Sequence, residues 1–143
     1  MLNHVKISLT VILSALSYAI GGWDLFLRGL VILMGIDYLL GIVVAGFFKR
    51  STKTKNGKLN SYVGWVGLFK KVTCLLLIIV AKEIDILLGS SFVRTSTIIF
   101  FCINEIISIT EHAGVIGLPV PAVFKKAIEL LNKKDEVNQE GGI

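Results

Sequence analysis

Apolar residues run along this chain in four blocks, separated by turns or charged loops. The first, residues 5–20, is broken after Lys6 at its start only by Ser8, Thr10, Ser14 and Ser17. As a helix its sixteen residues reach about 24 Å, short of a hydrocarbon core of about 30 Å. Lys6 ahead of it and Ser17-Tyr18-Ala19 near its end give it the outline of a signal peptide, but weak charge and repeated hydroxyls weigh against cleavage. Gly21-Gly22-Trp23-Asp24 then makes a turn whose Trp suits a membrane interface. The second block, residues 25–48, is long enough to span and carries Arg28 near one end and Asp37 near its middle.

Residues 49–61 form a basic, polar loop that turns at Asn56-Gly57. The third block, residues 63–88, is most apolar over 72–81. Lys70 and Lys71 are expected at its boundary, their amines reaching out to the headgroups, and Lys82 and Asp85, three apart, are expected to face each other. The fourth block, residues 95–118, follows Arg94 and is expected to stop at Pro119 and Pro121. Beyond it, residues 122–131 alternate apolar and basic positions and predict a short amphipathic helix on the membrane surface. Residues 132–143 are polar and expected to fray. The expectation is an all-α integral membrane protein with three to four transmembrane helices in residues 1–121 and an amphipathic, polar tail in 122–143.

Composition strengthens this reading. The 143 residues are 54% apolar and 17% charged, with a mean hydropathy of +0.78. Soluble domains carry roughly 45–50% apolar and about 25% charged residues. Disorder is excluded by the hydrophobicity, and a disulfide scaffold by the presence of only Cys74 and Cys102, both inside apolar runs. The net charge of +5 is concentrated beside apolar segments. Lys49, Arg50, Lys53, Lys55 and Lys58, followed by Lys70 and Lys71, make one cluster; Lys125, Lys126, Lys133 and Lys134 make another. That placement follows the positive-inside rule and puts both clusters in the cytoplasm rather than on nucleic acid. Two topologies fit: four helices with both termini inside, or three with the N-terminus outside.

Intramembrane polar groups are the candidate chemistry, since each is expensive to insert. On a helical projection of the fourth block, Arg94, Thr97, Asn104, Glu105, Ser108, Glu111 and His112 lie within an arc of about 120°. Such a stripe must face protein or water. It either lines an aqueous path, or an assembly that later opens, or it glues a static bundle through interhelical hydrogen bonds. Asp37, Gly41 and Ala45 recur every fourth residue, a small-residue face that lets another helix approach. His4 and His112 form no metal-ligand spacing with the two cysteines, and no phosphate-binding glycine loop or nucleophile triad is present. No cofactor, no metal and no enzymatic reaction is expected.

These pieces have an order. Asp37-x3-Gly41-x3-Ala45, the basic loop, and Ser61-x2-Gly64-x2-Gly67-x2-Lys70-Lys71 are followed by Asn104-Glu105-x2-Ser108-Ile109-x-Glu111-His112 and Gly117-Leu118-Pro119-Val120-Pro121. Over about residues 30–130 the series resembles the phage-holin family that includes the clostridial toxin-secretion holins; His112 stands where that family usually has Asn. The resemblance implies a protein of the bacterial cytoplasmic membrane that associates with copies of itself in the bilayer. Its lesions would release an endolysin or a toxin as cargo. The residues alone leave two other readings open, a small transporter or channel and a membrane scaffold for another protein.

Overall fold

The computed structural model describes the chain except for residues 52, 54, 142 and 143, so the end of the expected tail lies outside the described residues. Five helices follow one another: α1 (Leu2–Ile20), α2 (Leu25–Gly46), α3 (Ser61–Leu88), α4 (Phe92–Val115) and α5 (Ala122–Gly141). The first four are long and apolar enough to cross a membrane. No strand occurs among the described residues.

Local chemistry sets the helix ends. Gly21 and Gly22 both take φ 93°, which ends α1, and Asp24 caps α2 by accepting the Leu27 N–H at 2.9 Å. Asn60 caps α3 by accepting the Tyr62 N–H at 2.9 Å, and Gly89, at φ 65°, ends it. The start of α4 is capped from a distance. Ser91 makes no side-chain cap, and Asp85 of α3 instead accepts the Val93 and Arg94 N–H groups at 3.0 and 2.9 Å and the Ser90 hydroxyl at 2.6 Å. The expected Lys82–Asp85 pairing is therefore not made: Lys82 donates to the Tyr18 carbonyl at 2.9 Å and sits 4.5 Å from that ring's centre.

α4 ends before the prolines. Gly117 at φ 81° turns the chain, and the Leu118 N–H reaches back to the Ala113 carbonyl at 2.9 Å. Pro121 then helps to start α5, its carbonyl accepting the Phe124 N–H at 3.0 Å.

α2 and α4 form the most extensive helix pair, α3 packs on α4, and α2 meets α3 only sparsely. Leu27, Leu30, Met34, Ile78 and Ile98 make the apolar core, near the end of the bundle that holds the Gly21-Gly22 turn. α1 packs against α3 and has no buried residue. Its last turn is clamped by Arg94, which donates to the Ile20 and Gly22 carbonyls at 2.6 and 3.1 Å and pairs with Asp24 at 2.5 Å.

The helix expected after Pro121 is present, but it is longer and placed differently. It runs to Gly141 where fraying was expected, and it packs along α4 rather than lying apart on a surface. It folds back from the basic-loop end far enough for the Lys134 ammonium to sit 4.6 Å from the ring centre of Phe26, at the start of α2. Ala127, Ile128 and Leu131 fall on the half-buried face of α5, a stripe that finds apolar surface on the bundle.

Candidate functional site: a buried ion cluster

Three charged side chains enter the bundle at one depth. Asp37 lies nine residues from the end of α2, Lys71 ten from the start of α3, and Glu105 ten from the end of α4, so each is about 14–15 Å in from the basic-loop end. Lys71 bridges the two acids, its ammonium 2.8 Å from Asp37 Oδ2 and 2.6 Å from Glu105 Oε2. His112 closes the group from about two turns nearer the loop on α4, its Nε2 3.4 Å from Asp37 Oδ1. Asp37 is 6% exposed and His112 8%.

Gly41 lies directly against the imidazole: a β-carbon there would stand at ordinary contact distance, 3.5 Å from His112 Nε2. Ala45, one turn further, is buried. The Asp37, Gly41, Ala45 face of α2 therefore meets the Glu105 and His112 side of α4.

Lys71 departs from the sequence expectation. Its ammonium does not reach out to the headgroups but turns inward, because two carboxylates at its own depth offer stronger partners than the interface does. Lys70, its neighbour, is exposed, as a 100° step around the helix requires.

The α4 stripe divides. Glu105, Ser108 and His112 face inward, Asn104 is exposed but borders the same cavity, and Glu111 is exposed on the ridge that also carries Phe100 and Ile107. Thr97 donates to the Val93 carbonyl at 2.7 Å, and Arg94 serves the clamp at the other end. At that clamp, outside the spanning helices, burial pushes the Asp24 carboxyl upward. The Leu27 N–H and the Arg94 guanidinium outweigh it and hold the group below its ordinary range.

The basic loop closes the near end. Lys49 takes φ 52°, the Ser51 N–H donates to the Gly57 carbonyl at 3.0 Å, and Asn56 accepts the Lys58 N–H at 3.1 Å. Gly57 is required there: at φ 70°, a β-carbon would fall on the Lys49 carbonyl oxygen. Arg50 donates to the Val115 carbonyl at 3.5 Å and ties the loop to the end of α4. Lys55 and Lys58 are exposed, while Lys53 borders a cavity of about 230 Å³ whose inner wall is the ion cluster. Sequence reasoning missed the central role of Lys71 and the remote cap by Asp85. The available signal was a lone base set at the depth of two acids.

Comparison with known proteins places this arrangement. The bacteriophage holin family matches the chain over residues 14–133. A probable holin of Bacillus phage phi105 is 30% identical over 116 residues, covering 80% of each chain. The chain belongs to the bacteriophage holin family. Uncharacterised relatives are similar over nearly their whole length: one from Halalkalibacterium halodurans is 37% identical, covering 92% of this chain and 96% of its own. Another, a 14.9 kDa protein of Clostridium perfringens, is 32% identical, covering 93% and 96%. No solved structure matches the chain. In this holin-family membrane protein, Asp37, Lys71, Glu105 and His112 meet in one buried cluster.

Proposed function

We propose that the protein acts as a holin, accumulating in the bacterial cytoplasmic membrane with its basic loop and the start of its C-terminal tail on the cytoplasmic side. There it assembles with copies of itself into lesions that release an endolysin or a toxin. The observation that carries the mechanism is the Asp37–Lys71–Glu105 bridge, two carboxylates and one ammonium joined from three membrane helices. A closed cluster lets the single chain reside in lipid; opened between neighbouring copies, the same charges become a wall that holds water. α5 supports the reading. Its exposed face carries Lys125, Lys126 and Lys133 alongside the bundle, and charges at that depth are tolerated only against protein or water.

Induction of the gene in a bacterium, with and without a co-expressed cytoplasmic cell-wall hydrolase, tests this. Abrupt depolarisation is expected, with lysis only when the hydrolase is present. In the same assay Asp37→Ala and Glu105→Ala are expected to change the time of onset while the protein still inserts. An intact potential at confirmed membrane expression would overturn the holin reading. Unchanged timing in both variants would remove the cluster from the mechanism.

A further inference from the structure

The cavity beside the ion cluster has two kinds of wall. Its inner end is acidic: Asp37 and Glu105 against Lys71 leave one uncompensated negative charge. Two atoms there, 3.4 Å apart, are buried without a hydrogen-bond partner, Asp37 Oδ1 and His112 Nε2, on residues that are each more than nine-tenths buried. Its rim is basic, with exposed Lys53 and Lys70. Between α2 and α3, which scarcely touch, a further groove lined by Tyr38, Ile42, Trp65 and Leu68 continues the cavity sideways.

We infer that this cavity binds the headgroup of an aminophospholipid that enters between α2 and α3. The ligand's primary ammonium donates to Asp37 Oδ1 and His112 Nε2, satisfying both orphaned atoms and the surplus negative charge. Its phosphate lies toward Lys53 and Lys70, and its acyl chains leave along Ile42 and Leu68. A purely anionic head would put nothing on the acidic end, and a bare cation would leave the basic rim unmatched. Size agrees: at about 30 Å³ per water, 230 Å³ holds roughly eight waters, a match for the roughly eight non-hydrogen atoms of phosphoethanolamine. The inference rests on membrane residence, not on lesion formation, so it stands or falls apart from the holin reading.

The test uses the full chain purified in detergent, read by native mass spectrometry and thermal unfolding. Phosphatidylethanolamine, phosphatidylglycerol and free phosphoethanolamine are added in separate arms. A retained phosphatidylethanolamine adduct with a raised unfolding temperature is expected, without the same effect from the other two. Asp37→Asn is expected to weaken the adduct about tenfold or more, the loss of one charge-assisted hydrogen bond. Gly67→Leu fills the cavity from a position whose β-carbon meets no neighbour, so it leaves the ion cluster intact and should also abolish the adduct. Equal binding of phosphatidylglycerol would mean surface attraction by lysines, and equal stabilisation by free phosphoethanolamine would mean a water-borne ligand. Either result, no adduct at all, or an adduct that survives Gly67→Leu overturns the assignment.

Discussion

Lys71 decides whether the middle of the bundle is tolerable in a membrane. Its ammonium is the hydrogen-bonding cation that satisfies both Asp37 and Glu105, and all three side chains are at least 85% buried. Burying such a group is costly, and its net contribution over an apolar replacement is small; removing one partner is far worse, because a buried charge is left alone. Lys71→Met is therefore expected to destabilise the protein by about 3–5 kcal/mol, seen as a lower unfolding temperature in detergent and reduced accumulation in membranes. Adding Asp37→Asn and Glu105→Gln should return most of that loss. A Lys71→Met protein as stable as the parent would show that the bridge holds nothing together. Both acids stood out in the sequence as intramembrane charges, whereas Lys71 did not. It sits next to Lys70 near the edge of an apolar run, and only the rotation of α3 separates the inward lysine from the outward one.

Among the helices, α2 and α4 form the fixed pair and α1 and α5 the peripheral ones. α1 is held through its last turn by Lys82 and Arg94, and α5 by a stripe of Ala127, Ile128 and Leu131 and by the Lys134–Phe26 contact. A cation over an aromatic ring adds about 0.5–2 kcal/mol, so α5 is placed by modest forces and its docking is directly testable. The pair Phe26→Cys and Lys134→Cys should be joined in membranes by a reducible bis-thiosulfonate cross-linker about as long as the two side chains it replaces. If undocking of α5 accompanies lesion formation, the cross-linked pair delays depolarisation and a reductant restores the normal onset. Failure to cross-link at confirmed expression would place α5 away from the bundle. The amphipathic character of this helix was plain in the alternation of apolar and basic residues after Pro121. Its continuation to Gly141 was not, because residues 132–141 are polar and acquire helical order only along a helix already docked.

The whole bundle is divided along its length. The end near the Gly21-Gly22 turn is an apolar core with an ionic clamp around Arg94, and the basic-loop half encloses a charged cluster beside a cavity. An assembly built by reopening such a cluster has an unfavourable first step, since the first copies expose charge before enough neighbours surround it. Lysis onset should therefore respond more than proportionally to expression: graded induction is expected to shorten the lag steeply while the collapse stays equally abrupt. A lag inversely proportional to protein level, with gradual loss of potential, would indicate independent single-chain leaks.

What was readable from the chain was whatever depends on local pattern: the helical membrane class, the four apolar blocks, the turns at Gly21-Gly22 and Asn56-Gly57, and the two acids that had to find partners. These follow from hydropathy, backbone preference and the cost of charge in lipid, each of which acts over a few residues. Three-dimensional packing settled which lysine turns inward, that Asp85 caps a helix other than its own, that the α4 stripe splits between interior and surface, and that α5 lies along the bundle. Each depends on the rotation and depth of one helix relative to another. A side chain can choose between lipid, water and a partner only once that partner is in place.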